Sequence, residues 1–479
     1  MEREQLDDLV VVVPGILGSR LAVDGREVWG PSPGAVWDGI RTFARSVTAL
    51  RLPRDIGDDH PGDGVEATGL VPSLHALPGI WPLVNGYGDL CAWLERNFSV
   101  RRALPGAPAE VPVNLVEFAY DWRLSCRYNA RRLAERVNEA LGRWQASSPE
   151  RADARVRLIC HSMGGLVARY YVECCGGAEV TRRLITLGTP HRGSLGALES
   201  LVNGHRLGLG PAGVDLTPFG RSLPSTHQLI PDYACLVTPE GLKRPGEISG
   251  GLPGVDGGLL AEAERFHAEI RTAALARVER DGPGAERLCL PVVGVRQPTP
   301  TTAVPEGERL RLLTTINGKE EGGDGRVPRF AAYPAEASPG DPTATRSSFA
   351  NHGAIKNHAD VRAVLFDYLA PAPGVYRGST AAYPLSLLAP EYLADGEPLE
   401  LTVRVAGNRP GADELSIQTS ITGEDGRQDW RRLPYNRQTG CYEGAFTDLP
   451  AGAYAVAVHA ADDSADTAVT ALTLIGGIA

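Results

Sequence analysis

The stretch "LICHSMGGLVARYY", residues Leu158 to Tyr171, reads as a strand end, a sharp turn and a helix, with Ser162 at the tip. Turns of this kind usually spell G-x-S-x-G. They lift the serine hydroxyl clear of the sheet, at the positive end of the following helix. Here the first glycine is replaced by Cys160. The positions two before and two after the serine must be small, because strand and helix backbones approach closely there. Gly164 meets that need, Gly165 adds room, and Cys160 is still a small side chain. The replacement therefore limits volume rather than chemistry. Ser162 stays a candidate nucleophile, and the N–H of Met163 is a natural oxyanion donor. The blander alternative is a core strand–turn–helix with an idle serine.

Outward from this turn, apolar runs alternate with helical patterns as far as about residue 370. Leu9–Val13, Val113–Phe118 and Val156–Cys160 lack polar alternation, as expected of strands buried on both faces. Ala130, Leu133, Ala134, Val137, Leu141 and Trp144 recur at three- and four-residue steps, which predicts an amphipathic helix. Strand–helix alternation of this kind predicts a parallel sheet with helices on both faces. Residues of about 195–285 break the pattern with a Gly/Pro-rich segment and a long helix near Leu259–Val278, and are expected to form a lid or cap. The expected catalytic unit is 1–370, followed by a linker at 371–384. After it, Leu399, Leu401, Val403 and Val405 alternate with polar residues, as do Tyr454, Val456 and Val458 with small ones. This predicts a small all-β, Ig-like sandwich over 385–479. It holds no cluster of candidate catalytic groups and reads as an accessory domain for binding or stabilisation, its protein or ligand partner open.

The chain has 479 residues, 43% of them hydrophobic and 22% charged, and a formal net charge of −10. That balance suits a soluble enzyme and argues against a sequence-independent grip on nucleic acid. No apolar run reaches the ~18 residues of a membrane span. "MEREQLDD" is acidic where a secretory leader is basic, so the expectation is a cytoplasmic protein that begins almost directly in its fold. None of the eight cysteines forms a C-x-x-C pair, and no metal or cofactor is expected.

A serine nucleophile needs a base, and the base needs an orienting acid. Triads built on such an elbow run Ser, acid, His along the chain. Of ten histidines, His352, His358 and His459 follow both other members. His459 lies in the β region. His358 begins the last helix, a poor place for a cation, so His352 is preferred. For the acid, Asp324 in "EEGGDGRVP" sits between glycines in a loop, whereas Glu320, Glu321 and Asp341 have more solvated contexts. A turn residue is the alternative reading of Asp324. The second oxyanion donor is expected in "VVVVPGILGSRL", where Pro14 and Gly15 end the first strand and Ile16 follows.

"VVVPGILGSRL", "YGDLCAWLERNF", "EFAYDWRLS", "CHSMGGLVARYYVE", "TLGTPHRGS", "LPSTHQLIP", "GGDGRVP" and "NHGAIKNH" occur in this order. The ordered set resembles the lecithin:cholesterol acyltransferase family of α/β-hydrolases and covers most of residues 1–370. The resemblance implies an α/β-hydrolase fold, a Ser162–Asp324–His352 triad and oxyanion amides at Ile16 and Met163. It also implies acyl-ester substrates, often phospholipids, with transient contact to a membrane surface. Trp29 is its candidate for lining the acyl site, a core aromatic being the equal alternative. Two departures stand out. No cysteine precedes Cys91, so a lid near the oxyanion loop is unstapled. "GDGRVP" puts Arg326 beside the site, where it binds an anionic head group or points to solvent. Asp121 and Arg123 are expected to form a structural ion pair, His191 to shape the pocket, and Trp81 to touch lipid or tie a loop to the core.

The leading expectation is a serine hydrolase of lipid or phospholipid acyl esters. An acyltransferase, in which an alcohol replaces water, has the same residues and differs in how well the site excludes water. A binding or sensing module that kept the fold and lost catalysis is the third alternative.

Overall fold

The computed structural model describes residues 3–30, 50–53, 56–72, 74–75, 82–84, 86–103, 111–204, 206–207, 214–282, 285–337, 346–370, 385–390, 392–393, 396–405, 411–423, 428–450, 452–460 and 469–475. The expected linker 371–384, Trp81 and Asp341 lie outside them.

The first strand shows why the apolar runs are unbroken. In β1 (Leu9–Val13) all five side chains are buried. Leu9, Val11 and Val13 point into one hydrophobic cluster, Val10 and Val12 into another. Successive side chains of a strand face opposite ways, so a strand covered on both faces needs apolar residues at every position. Full burial of each such side chain contributes about 1.5–3 kcal/mol as an upper figure. In chain order the remaining elements that position the site are α1 (Gly88–Asn97), β2 (Leu115–Glu117), α2 (Cys126–Ala146), β3 (Val156–His161), α3 (Met163–Cys174), β4 (Thr181–Leu187), α4 (Gly257–Asp281), β5 (Cys289–Gly294), β6 (Arg346–Ser348) and α5 (Ala359–Leu369). The six strands form one sheet in the order β6-β5-β4-β3-β1-β2, every pairing parallel. Helices α1 and α5 cover one face through Leu90, Leu94, Val361 and Leu365. Helices α2, α3 and α4 cover the other through Leu133, Val137, Val167 and Phe266.

Chain order reverses at β1, whose neighbours are β2 and β3. Loops leaving the C-terminal ends of β1 and β3 therefore part on opposite sides and leave a crevice, the usual ligand position in open parallel sheets.

The expected insertion at 195–285 divides in two. Leu195–Asn203 and the short helices Thr217–Arg221 and Pro224–His227 lead away from β4. The long helix α4, capped by Asp256, instead packs on α3, with Phe266 stacked on Tyr170 at 5.5 Å. It is the crossover helix between β4 and β5, which places it in the helix layer and not over the sheet's C-terminal end. Arg309–Leu313 pairs with Thr302–Glu306 in a separate four-stranded sheet. Ser19–Val23, Arg26–Trp29 and Val65–Leu70 form a small antiparallel sheet that the sequence pattern does not announce.

The C-terminal strands form two sheets whose pairings are antiparallel except for Tyr392–Leu393 with Val469–Ile475. Both sheets feed one buried cluster: Leu399, Leu401 and Val403 from one, Ile417, Val456 and Val458 from the other. Among the described residues no helix is long and apolar enough to cross a membrane.

Candidate active site

Ser162 sits between β3 and α3 with φ 53° and ψ −129°. This left-handed backbone costs on the order of 1–3 kcal/mol for a residue with a Cβ, and persists where the surroundings over-determine it. The surroundings do so here by close approach. A Cβ on Gly164 would lie 2.2 Å from the Pro14 carbonyl oxygen, and one on Gly165 2.0 Å from Thr189 Oγ1. Cys160, by contrast, is fully buried in the core beneath the turn, and burial holds its thiol well above the usual range.

Ser162 Oγ lies 2.9 Å from His352 Nε2, and His352 Nδ1 lies 2.8 Å from Asp324 Oδ2. Three separate loops deliver these groups, after β3, after β6 and in the segment between β5 and β6. Asp324 is 1% exposed. Its other oxygen, Oδ1, accepts the backbone N–H groups of Arg326 (2.9 Å) and Val327 (2.7 Å), which turns Oδ2 toward the imidazole. Its Cβ packs where a side chain on Gly294, the last residue of β5, would stand. The backbone closes the unit, with the His352 N–H donating to the Asp324 carbonyl at 2.9 Å. A carboxylate on Nδ1 leaves Nε2 facing the hydroxyl, the tautomer a general base needs.

The loop after β1 is tied at nearly every backbone group. Tyr120 Oη donates to the Pro14 carbonyl (2.8 Å), and the Gly15 N–H donates to Tyr87 Oη (2.7 Å). The Gly18 N–H donates to the Gly15 carbonyl (3.0 Å), Trp29 Nε1 to the Leu17 carbonyl (3.0 Å), and the Val71 N–H to the Gly18 carbonyl (2.9 Å). Among the described residues the N–H groups of Ile16 and Met163 donate to no protein acceptor. Leu17 is held at φ 63° and is 42% exposed, an apolar side chain at the rim of the crevice.

The other expected residues are distributed as follows. Trp29 is half-buried, packs edge-on against Trp122 at 5.2 Å and clamps Leu17 as described. Arg326 is exposed beside Asp324, and its carbonyl accepts Ser194 Oγ. His191 is buried, bonded through Nε2 to Thr186 Oγ1 at 3.0 Å, and lines a small pocket beside α3 with Leu166, Arg169, His267 and Glu336. Burial and the Arg169 charge hold its imidazole well below the usual range. His358 occupies the N-cap position of α5 and pairs through Nδ1 with Asp360, whereas His352 is the histidine that meets Ser162. Asp121 and Arg123 pair at 2.6 Å, with Asp63 as a third, unforeseen member. Among the described residues no group of three His, Cys, Asp or Glu side chains could hold a metal ion.

Sequence reasoning missed three residues around the histidine loop. His161 Nδ1 lies 2.8 Å from Tyr87 Oη, and its Nε2 lies 2.9 Å from the His352 carbonyl. Lys356 is buried, donates to the Gly353 carbonyl at 2.5 Å, and stands 5.2 Å from the Tyr87 ring centre. The available signal was "YGDL", a tyrosine directly before a helix, but nothing local links Tyr87 to a histidine 74 positions on.

The family model for palmitoyl protein thioesterase matches residues 83–209, which include β3, the serine turn and α3. A segment of 90 residues is 30% identical to the uncharacterized protein YJR098C of Saccharomyces cerevisiae, covering 19% of this chain and 12% of that protein. This chain thus spans a small part of that relative's length. Among solved structures, the mature form of the lipase BlEst2 of Bacillus licheniformis is similar at 12% identity and TM-score 0.34, covering 77% of this chain and 94% of the lipase. Its propeptide form gives 11% identity and TM-score 0.36, covering 98% and 94%. These structural likenesses are loose, and the fold rests on the sheet itself. The mixed α/β architecture with a parallel central sheet fits an α/β-hydrolase, and the thioesterase-family match supports an ester hydrolase.

Proposed function

We propose that the chain is a serine hydrolase of acyl esters, with lipids or phospholipids as the substrate class. One observation carries the reading: Ser162 Oγ, His352 Nε2 and Asp324 Oδ2 stand in hydrogen-bonded sequence at 2.9 and 2.8 Å, beside two undonated amides. Ser162 Oγ attacks the acyl carbonyl while His352 Nε2 takes its proton. The Asp324 carboxylate stabilises the imidazolium, and the Ile16 and Met163 amides hold the oxyanion. The tetrahedral intermediate collapses, the leaving alcohol takes the proton from His352, and the acyl group stays on Ser162. Water then attacks the acyl-enzyme with His352 as base, freeing the acid and restoring the hydroxyl. The resemblance to the lecithin:cholesterol acyltransferase family, the exposed Leu17 at the rim and the cationic Arg326 beside the acid support a lipid with an anionic head group. Trp29 contributes by holding the oxyanion loop and offering its ring to the acyl chain. The C-terminal strands form an accessory domain on this reading, beyond a linker at 371–384.

The thioesterase-family match favours one variant, an acyl donor whose leaving group is a thiol. The chemistry at Ser162 is unchanged by it. A fluorophosphonate probe tests the shared core of the proposal. Wild type is expected to be labelled and Ser162→Ala not, and labelling that survives the substitution removes Ser162 from the role. Comparing release of fatty acid from anionic phospholipid vesicles and from a palmitoyl thioester then identifies the donor.

A further inference from the structure

The oxyanion loop and the histidine loop leave different strands, and the two must hold a fixed distance for one substrate atom to meet both. Hydrogen bonds between them run through two side chains. The Gly15 N–H can only donate, so Tyr87 Oη accepts from it at 2.7 Å. The Tyr87 hydroxyl proton is then directed to His161 Nδ1, 2.8 Å away. With Nδ1 accepting, a neutral His161 carries its proton on Nε2, which faces the His352 carbonyl at 2.9 Å. Every donor in this chain meets an acceptor in one direction only: Gly15 to Tyr87, Tyr87 to His161, His161 to His352. Tyr87 and His161 are buried, where a polar group left without its partner is costly, so the arrangement resists slippage.

Packing fixes the same parts. A Cβ on Gly15 would approach Ser162 Cβ to 2.9 Å and His161 Nδ1 to 3.2 Å, so the loop is seated directly on the serine turn. The His161 and His352 rings lie 5.1 Å apart, and the Tyr87 ring meets His161 edge-on at 5.9 Å. Lys356 covers the Tyr87 ring and binds the carbonyl of Gly353, next to His352. Burial, and then the charges of Lys356 and His352, keep His161 neutral, which is the state the chain of donors requires.

We propose that Tyr87 and His161 form a hydrogen-bonded strut between the oxyanion loop and the histidine loop, and act as positioning residues for acyl transfer at Ser162. This rests on the hydrolase reading above. Neither side chain touches the reacting atoms. The strut sets where the Ile16 amide stands relative to His352 Nε2, a distance that matters in the transition state more than in substrate binding.

The test uses the full chain, p-nitrophenyl butyrate as substrate and a trifluoromethyl ketone as oxyanion mimic. Tyr87→Phe keeps the ring and removes the hydroxyl. His161→Gln keeps a donor near the Nε2 position and loses the ring acceptor at the Nδ1 position that faces Tyr87 Oη. Each is expected to lower kcat roughly 10- to 100-fold with KM within about twofold, and to weaken the ketone in proportion to kcat. The double variant is expected to lose no more than the worse single one, because a strut cut twice is still one cut strut. A loss equal to the product of the two single losses overturns the proposal, as does unchanged kcat in both single variants. A fall in kcat without weaker ketone binding overturns it too. Loss of labelling in Ser162→Ala together with full kcat in Tyr87→Phe overturns the strut alone. Labelling that survives Ser162→Ala overturns the hydrolase reading and the strut with it.

Discussion

Helix α3 carries a buried polar network at each end, and the two are built differently. At its N-terminus, Ser162, His352, His161 and Tyr87 are joined by single hydrogen bonds, each with one direction. In its second half, Arg169 pairs with Glu336 and Glu173, and Arg277 grips Glu173 through two bonds of 2.7 and 3.1 Å. The second network is built of full charges, and its Arg277–Glu173 pair holds α3 to α4. The first is mostly neutral, and its groups are spaced so that a proton can move from Ser162 to His352. Buried charge pairs fasten elements, whereas chains of single donors keep one state and one geometry.

The largest effect expected on this contrast is at Asp324, the carboxylate that joins the first network through His352 Nδ1. Asp324→Asn keeps the shape and loses the charge that selects the His352 tautomer. It should lower kcat about 10⁴-fold with little change in melting temperature. The counterpart in the second network is Glu173→Gln. The Glu173 side chain is 1% exposed, and neutralising it leaves Arg277 and Arg169 short of a partner. The expected cost is about 3–5 kcal/mol in urea unfolding, with kcat per folded molecule unchanged. If Asp324→Asn chiefly unfolds the chain, or Glu173→Gln chiefly slows it, the division between the two networks is wrong.

What was legible in the sequence follows the same division. The β1 run Leu9–Val13 was readable because burial on both faces leaves no polar alternation, and α5 at Ala359–Leu369 because its period is local. Asp324 and His352, which the structure brings within hydrogen-bonding distance of each other, could be singled out because chain order and a glycine-flanked loop constrain them without any knowledge of distance. β6 was not readable. Arg346–Ser348 is short and polar, and is a strand only because β5 offers it an edge. Tyr87 and Glu336 were invisible for a related reason. Their partners lie 74 and 167 positions away, and a side chain that serves a distant hydrogen bond leaves no periodic trace. The long helix α4 was read correctly as a helix. Its place in the layer beside α3 depends on Phe266 meeting Tyr170, which no local pattern states.

Lys356 is a cation placed within the mostly neutral network. Burial lowers its pKa to about 7, with Asp89 opposing. In the unfolded chain it titrates near the ordinary 10.5. Between about pH 7 and 10.5 the unfolded state therefore binds more protons, and stability from this group rises with pH. Wild type should gain stability relative to Lys356→Met as pH is raised from 7 toward 10, and the difference should level off below 7. Urea midpoints of both proteins across that range check it. Parallel curves would mean that Lys356 is not desolvated in the folded state.

The smallest expected effect returns to the strand end under the serine. Cys160 is fully buried in the cluster shared with Val13 and Val167, and its thiol is held protonated by burial. The position therefore sees volume and not reactivity. Cys160→Leu adds bulk inside the fully buried cluster that Cys160 shares with Val13 and Val167, so neighbours must leave their rotamers. That should cost about 1–3 kcal/mol and displace Ser162, lowering kcat. Cys160→Gly removes a small buried side chain and loosens the strand, for about 1–2 kcal/mol, and should leave kcat of the folded enzyme near wild type. The two variants move stability the same way and activity differently, so paired melting curves and kcat values separate a steric role from a chemical one. A Cys160→Gly protein that folds but has lost its activity would make the thiol a participant, and the neutral network would then extend below the turn.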